Sequence, residues 1–135
     1  MKIDIRKANV KDWNKLRELL KEVVDERPPV ALELEPLIHK GERWLSEFPT
    51  KDQGNFIIAE TIENENPEII AFAYLAAPIF YQAVAYIGIV VKKKYRRKNI
   101  GSRLFYNLAE WATTKNLKYI LADIWAWNLK SLKFF

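Results

Sequence analysis

One stretch limits the fold more than any other: Gly88-Ile89-Val90-Val91, then Lys92-Lys93-Lys94-Tyr95-Arg96-Arg97-Lys98, then Asn99-Ile100-Gly101-Ser102-Arg103-Leu104. It begins as a β-branched, apolar run and ends by opening a helical pattern, with Ile100, Leu104, Phe105, Leu108, Trp111 and Ala112 on one face. A further apolar strand pattern follows over Tyr119 to Trp125. Strand, helix and strand in that order form a β-α-β unit, which demands a parallel pair and a crossover helix. The first turn of such a helix offers free N–H groups and a partial positive charge. With cations around it, this is a place for a phosphorylated ligand.

The basic charge is local. The net charge is +5, and residues 92–98 hold six of the 22 Lys and Arg. The other 16 face all 17 acidic residues, so the remainder is about neutral. A local patch suits a compact polyanion better than a long one. The 135 residues, half of them hydrophobic, are expected to form one domain, 1–135. There are no cysteines, which excludes disulfides, thiolate metal sites and Cys nucleophiles. His39 is the only histidine, and the chain has no cluster of metal ligands, so no metal is expected. The N-terminus lacks the apolar run of a secretion signal, which leads us to expect a cytoplasmic protein. Ile69 to Val91 is mostly apolar and precedes a basic cluster, as a membrane span would. Pro78, Gln82 and Gly88 inside it favour two buried strands joined by a turn.

The rest of the chain reads in order. Lys2 to Lys7 alternates as a half-buried, edge-type strand. Asn9 caps a helix carrying Trp13, Leu16, Leu19, Leu20, Val23 and Val24, which stops before Pro28-Pro29. A connector leads to a second helix expected from Pro36 to Phe48, with Leu37, Trp44, Leu45 and Phe48 inward. Strands are expected over Asn55 to Thr61, Glu68 to Ala77 and Ala83 to Val91, the first two joined by the polar loop Glu63 to Pro67. A last helix is expected from Leu129 to Phe135. The order β-α-α-β-β-β-α-β-α implies a mixed α/β sheet with antiparallel pairs and one parallel pair.

At this point the sequence resembles the GNAT N-acetyltransferase superfamily. The signature of that family is a strand ending in Val-x-Pro-x-Tyr, followed by Arg/Gln-x-x-Gly-x-Gly/Ala at a helix start. Here Val91-Lys92-Lys93-Lys94-Tyr95 precedes Arg96-Arg97-Lys98-Asn99-Ile100-Gly101 at the same spacing. Asn99 stands where the first Gly is usual; Asn is the next best residue for a left-handed backbone. Lys93 replaces the Pro. Asn128, Ser131, Phe134 and Phe135 occupy the places of a later family motif, Phe135 where a proton-donating Tyr is common. The family's last two strands have no counterpart, so a shortened homologue, a truncated product, or a domain completed by a homodimer is expected.

The resemblance implies acetyl-CoA as cosubstrate and direct attack by an amine, on a small molecule or a protein, within a ternary complex. Backbone N–H groups from Arg97, Lys98, Asn99, Ile100, Gly101 and Ser102 are expected to line the pyrophosphate, beside Arg96. Ile89, Val90 and Val91 would bond the pantetheine arm as a pseudo-strand, with an N–H near Val90 or Val91 on the thioester carbonyl. Asn128 would bond the arm near the sulfur. For proton transfer the candidates are Glu33 and Glu35 in the connector, Asp123 on the last strand and Tyr86 on the central one. Each also has a plainer reading, as an exposed charge, a structural pair or core. Two alternatives remain: a coenzyme A-binding protein without transferase activity, and a basic nucleic-acid-binding module in which Tyr95 stacks on bases.

Overall fold

A computed structural model describes residues 2–27, 34–49, 53–62, 65–77, 83–122 and 133–135. Its elements are β1 (Ile3–Lys7), a 3-10 turn (Val10–Asp12), α1 (Trp13–Val24), α2 (Glu35–Lys40), α3 (Arg43–Ser46), β2 (Gly54–Thr61), β3 (Ile69–Ala76), β4 (Val84–Val91), a second 3-10 turn (Lys93–Tyr95), α4 (Ile100–Thr114) and β5 (Tyr119–Leu121). The five strands form one sheet in the order β1-β2-β3-β4-β5. The first three pairings are antiparallel and β4–β5 is parallel. The expected mixed sheet is therefore present, with β1 at an edge.

Period-2 patterning puts alternate strand residues on opposite faces, and a different helix covers each. On one face Leu16, Leu19, Leu20 and Val23 of α1 pack with Phe56, Ile58, Phe72 and Val90. On the other, Ile100, Leu104, Leu108 and Ala112 of α4 pack with Ile57, Ala71, Ala73 and Ile87. Leu16, Leu20, Ile58, Phe72, Leu104 and Leu108 are wholly buried, worth roughly 1.5–3 kcal/mol each by transfer from water. The run from Ile69 to Val91 is thus β3 and β4 of a covered sheet. Among the described residues no helix is long and apolar enough to cross a membrane.

One expected helix is two. The pattern over Pro36 to Phe48 breaks at Gly41, where φ is 73° and ψ is −152°, a region that side chains with a Cβ avoid. Gly41 caps α2 through its N–H to Leu37 O, and α3 starts afresh. The inward residues survive the break. Trp44 sits edge-on to Trp13, Phe56, Phe72 and Tyr74, tying α3 to α1 and the sheet. The connector over 28–33, the turn at Pro78, the continuation of β5 past Ala122, and residues 129–132 of the expected last helix lie outside the described residues.

Candidate functional site

The sheet parts where the sequence places its strand-to-helix junction. Parallel pairing of β4 with β5 runs only from Val84↔Tyr119 to Tyr86↔Leu121. On its other side β4 stays paired with β3 as far as Ala71↔Val91. Among the described residues, Ile87 to Val91 therefore keep one edge open.

Backbone alternation says which groups face that opening. The N–H of Lys92 bonds Ile70 O at 2.8 Å, so even-numbered residues of β4 face β3. The N–H of Tyr119 bonds Ala83 O at 3.0 Å, so odd-numbered residues face β5. Hence Ile87, Ile89 and Val91 present N–H and C=O groups to the gap, while Gly88 and Val90 turn theirs toward β3. Gly88 has no room for a side chain on its own face: a Cβ there would lie 2.4 Å from the ring of Tyr74, which crosses from β3.

The open edge runs straight into the basic loop. After the second 3-10 turn the backbone reaches the left-handed region twice, at Arg97 (φ 62°) and Asn99 (φ 65°, ψ 15°). Asn99 is the N-cap of α4, and its side chain makes no capping bond. The N–H of Arg103 is the first to bond back, to Asn99 O at 3.1 Å. The N–H groups of Ile100, Gly101 and Ser102 have no hydrogen bond among the described residues, and the first turn carries no acid. Gly101 adds no side chain to this corner, where a Cβ would make ordinary contacts with Phe134 at 3.4 Å and Val91 at 3.8 Å. Alternating backbone hands with free N–H groups form a concavity for an anion.

Not all the cations are available to it. Lys92 is 2.6 Å from Glu68 and 3.5 Å from Glu22. Its hydrogen bond to Glu68 holds the Lys92 ammonium above its ordinary range and the Glu68 carboxyl below its own. Tyr95 adds a 3.4 Å bond to Glu68. Arg96 lies 2.7 Å from Glu26 and donates through Nε to Val91 O at 2.9 Å. Among the described residues Lys93, Lys94, Arg97 and Lys98 have no ion pair, though Lys94 lies over the Tyr95 ring. These four are the charges left for a ligand.

The structure thus brings Ile89, Val91, Arg96, Arg97, Lys98, Asn99, Ile100, Gly101 and Ser102 to one continuous junction between β4 and α4. Val90 belongs to β4 but sends its side chain into the α1 core and its backbone to β3. Tyr86 is 44% exposed, on the sheet face covered by α1 to α3. Glu35 is exposed at the start of α2. Glu33, Asp123 and Asn128 lie outside the described residues. Among the described residues no cluster of His, Cys, Asp or Glu could hold a metal. Sequence reasoning missed the left-handed backbone of Arg97, which no local residue preference signals. It also missed Glu26, which looks like an ordinary helix-end charge until the loop folds back on it.

The sequence pattern of the Acetyltransferase (GNAT) family matches residues 13–135. No curated protein sequence matches the chain significantly. Among solved structures, an acetyltransferase of the GNAT family from Streptococcus pneumoniae superposes with a TM-score of 0.77 at 20% identity, covering 98% of this chain and 80% of that one. The paia N-acetyltransferase from Thermoplasma acidophilum, in complex with coenzyme A, gives 0.74 at 19% identity, covering 99% and 86%. Glucosamine-6-phosphate N-acetyltransferase from Arabidopsis thaliana gives 0.69 at 17%, covering 99% and 90%. At these identities the likeness is one of fold.

Proposed function

The chain belongs to the acetyltransferase (GNAT) family, and from that premise we propose that it moves an acetyl group from acetyl-CoA to a primary amine, within one domain spanning residues 1–135. One observation carries the reading: among the described residues, the open edge of β4 runs without a break into an uncapped helix N-terminus ringed by cations that have no ion pair. An extended amide arm ending in a pyrophosphate needs that pair of surfaces in that order.

Acetyl-CoA supplies an activated acetyl thioester, and the chain's own groups divide the remaining work. The N–H groups of Ile100, Gly101 and Ser102 hold phosphate oxygens, each such contact at a helix start worth about 0.3–1 kcal/mol. Lys93, Lys94, Arg97 and Lys98 draw the polyanion in through their field more than through fixed contacts. Ile87, Ile89 and Val91 bond the amide arm along the gap. The N–H of Ile89 or Val91 faces the thioester carbonyl and takes up charge there as the amine attacks. Asn128 orients the arm near the sulfur. A carboxylate or water chain takes the proton of the attacking amine, with Glu33, Glu35, Asp123 and Tyr86 as the side chains to test. Phe135 has no proton to give, so the departing thiolate takes its proton from elsewhere.

Isothermal titration with acetyl-CoA, followed by thiol release across a panel of small and peptide amines, tests this. Binding with acceptor-dependent release is the expected result. Binding without release over the whole panel would favour a coenzyme-binding protein, and no binding at millimolar ligand would end both readings.

A further inference from the structure

We propose that Glu26 is a positioning residue for the coenzyme's phosphate loop, acting through Arg96; this rests on the coenzyme reading above. Glu26 lies two residues beyond the end of α1, and its side chain is only 9% exposed. A carboxylate at a helix C-terminus is placed against the helix dipole. Burial adds a desolvation cost that only a partner offsets. That partner is Arg96, whose Nη2 stands 2.7 Å from Glu26 Oε1 in an ionic approach without hydrogen-bond alignment. The same guanidinium donates Nε to Val91 O at 2.9 Å. One planar group therefore joins α1, the last residue of β4 and the start of the loop.

The position of this join matters. Arg96 directly precedes Arg97, a non-glycine residue held at φ 62°. Such a residue costs about 1–2 kcal/mol and persists only where its surroundings over-determine the backbone. Fixing the guanidinium of residue 96 against two separate elements supplies that constraint. It also occupies one of the carbonyls facing the gap, so an incoming arm meets a set of free groups already limited to the rest of the edge. Glu22 on α1 and Glu26 just past its end oppose Lys92 and Arg96 at matching four-residue spacing, but Glu22 is half-exposed and 3.5 Å from its lysine. The buried member carries the load.

Titration of free coenzyme A into wild type, Glu26→Gln, Glu26→Asp and Arg96→Lys, with melting temperatures alongside, tests the proposal. In Glu26→Gln the Kd should rise about five- to twentyfold, and KM for acetyl-CoA should rise with it while kcat stays within about twofold. Glu26→Asp keeps the charge and should recover most of the affinity. Unchanged or tighter binding by Glu26→Gln overturns the proposal, tighter binding meaning that a freed Arg96 serves the phosphates directly. Should Glu26→Gln fail to fold, Arg96→Lys decides: it cannot span both partners and should weaken binding at least about threefold, unchanged binding refuting the role. Failure of wild type to bind at all removes the coenzyme reading itself, and is read from wild type before any variant is compared.

Discussion

The chain passes twice from a strand through a 3-10 turn into a long helix, and the two junctions treat the same physical problem in opposite ways. At the first, between β1 and α1, side chains cap the turn and pair their charges. Asn9 Oδ1 accepts from Lys11 N, and the Asp12 carboxylate accepts from Asn9 N at 2.9 Å. Arg6 forks onto Asp12 at 2.8 and 3.0 Å and reaches Glu60 on β2 at 2.8 Å. Burial alone, the largest effect, would push the Asp12 carboxyl up; the Arg6 hydrogen bond and then the Asn9 N–H outweigh it and hold it below its ordinary range. At the second junction, between β4 and α4, the cap has no side-chain bond, and among the described residues the first-turn N–H groups are free and Lys93, Lys94, Arg97 and Lys98 have no ion pair. A helix start that satisfies itself is structure, and one that leaves its groups unsatisfied is a receptor.

Variants can break that contrast, the largest effect first. Asp12→Ala should cost about 3 kcal/mol in urea unfolding, because it removes a cap and leaves a part-buried arginine with Glu60 as its one remaining carboxylate among the described residues. Its Kd for coenzyme A should stay at the wild-type value. Gly101→Glu should do the reverse. It should weaken coenzyme binding at least about 100-fold, near 2.7 kcal/mol, by putting a carboxylate among the free N–H groups. Its melting temperature should change little. If Asp12→Ala instead loses ligand, or Gly101→Glu unfolds the chain, the division between the two junctions fails.

Acid sharpens the same contrast. A carboxylate with a lowered folded pKa contributes stability that is complete above its unfolded value and lost as pH falls through the folded one. The unfolded reference for Asp12 is 3.8, and its folded value lies lower. As pH falls below about 5 and through the lower folded value, wild type should therefore lose stability that Asp12→Asn, which cannot titrate there, keeps. The smallest expected effect is at the loop. Arg97→Gly should stabilise the fold by at most about 1 kcal/mol, relieving the left-handed residue while adding freedom to the unfolded chain. It should nonetheless weaken coenzyme binding modestly, since a charge and a fixed backbone are both lost. Thermal melts with and without ligand would separate the two signs.

Much of this was legible in the sequence because the strong signals were periodic. Ile3 and Ile5 alternating with charge, and Ile100, Leu104 and Leu108 at helical spacing, identify their elements with no tertiary help. Asn9 and Asp12 announce the capping box by type and position. Asn99 announces a left-handed residue in the same way. Gly41 was hidden because Leu37, Trp44 and Phe48 keep a helical phase across it, so the break leaves no trace in hydrophobicity. The choice of Ile87, Ile89 and Val91 over Val90 at the gap depends on strand register, which no side chain encodes. Likewise the pairing of Glu26 with Arg96 joins residues 70 positions apart, and only the fold brings them together.

The edge that β4 leaves open among the described residues has a cost of its own. Ile87-Gly88-Ile89-Val90-Val91 is apolar and rich in β-branched residues, and among the described residues one side of its backbone has no strand partner, with only Val91 O bonded there, by Arg96. Such a segment is a template for edge-to-edge aggregation between chains. The lysines that follow, Lys92-Lys93-Lys94, then act as gatekeepers, since a neighbouring strand laid along this edge would bring like charges together. The protein should accordingly be most prone to self-association when ligand-free and in high salt, and coenzyme should extend its life in solution by filling the gap that another chain would otherwise occupy.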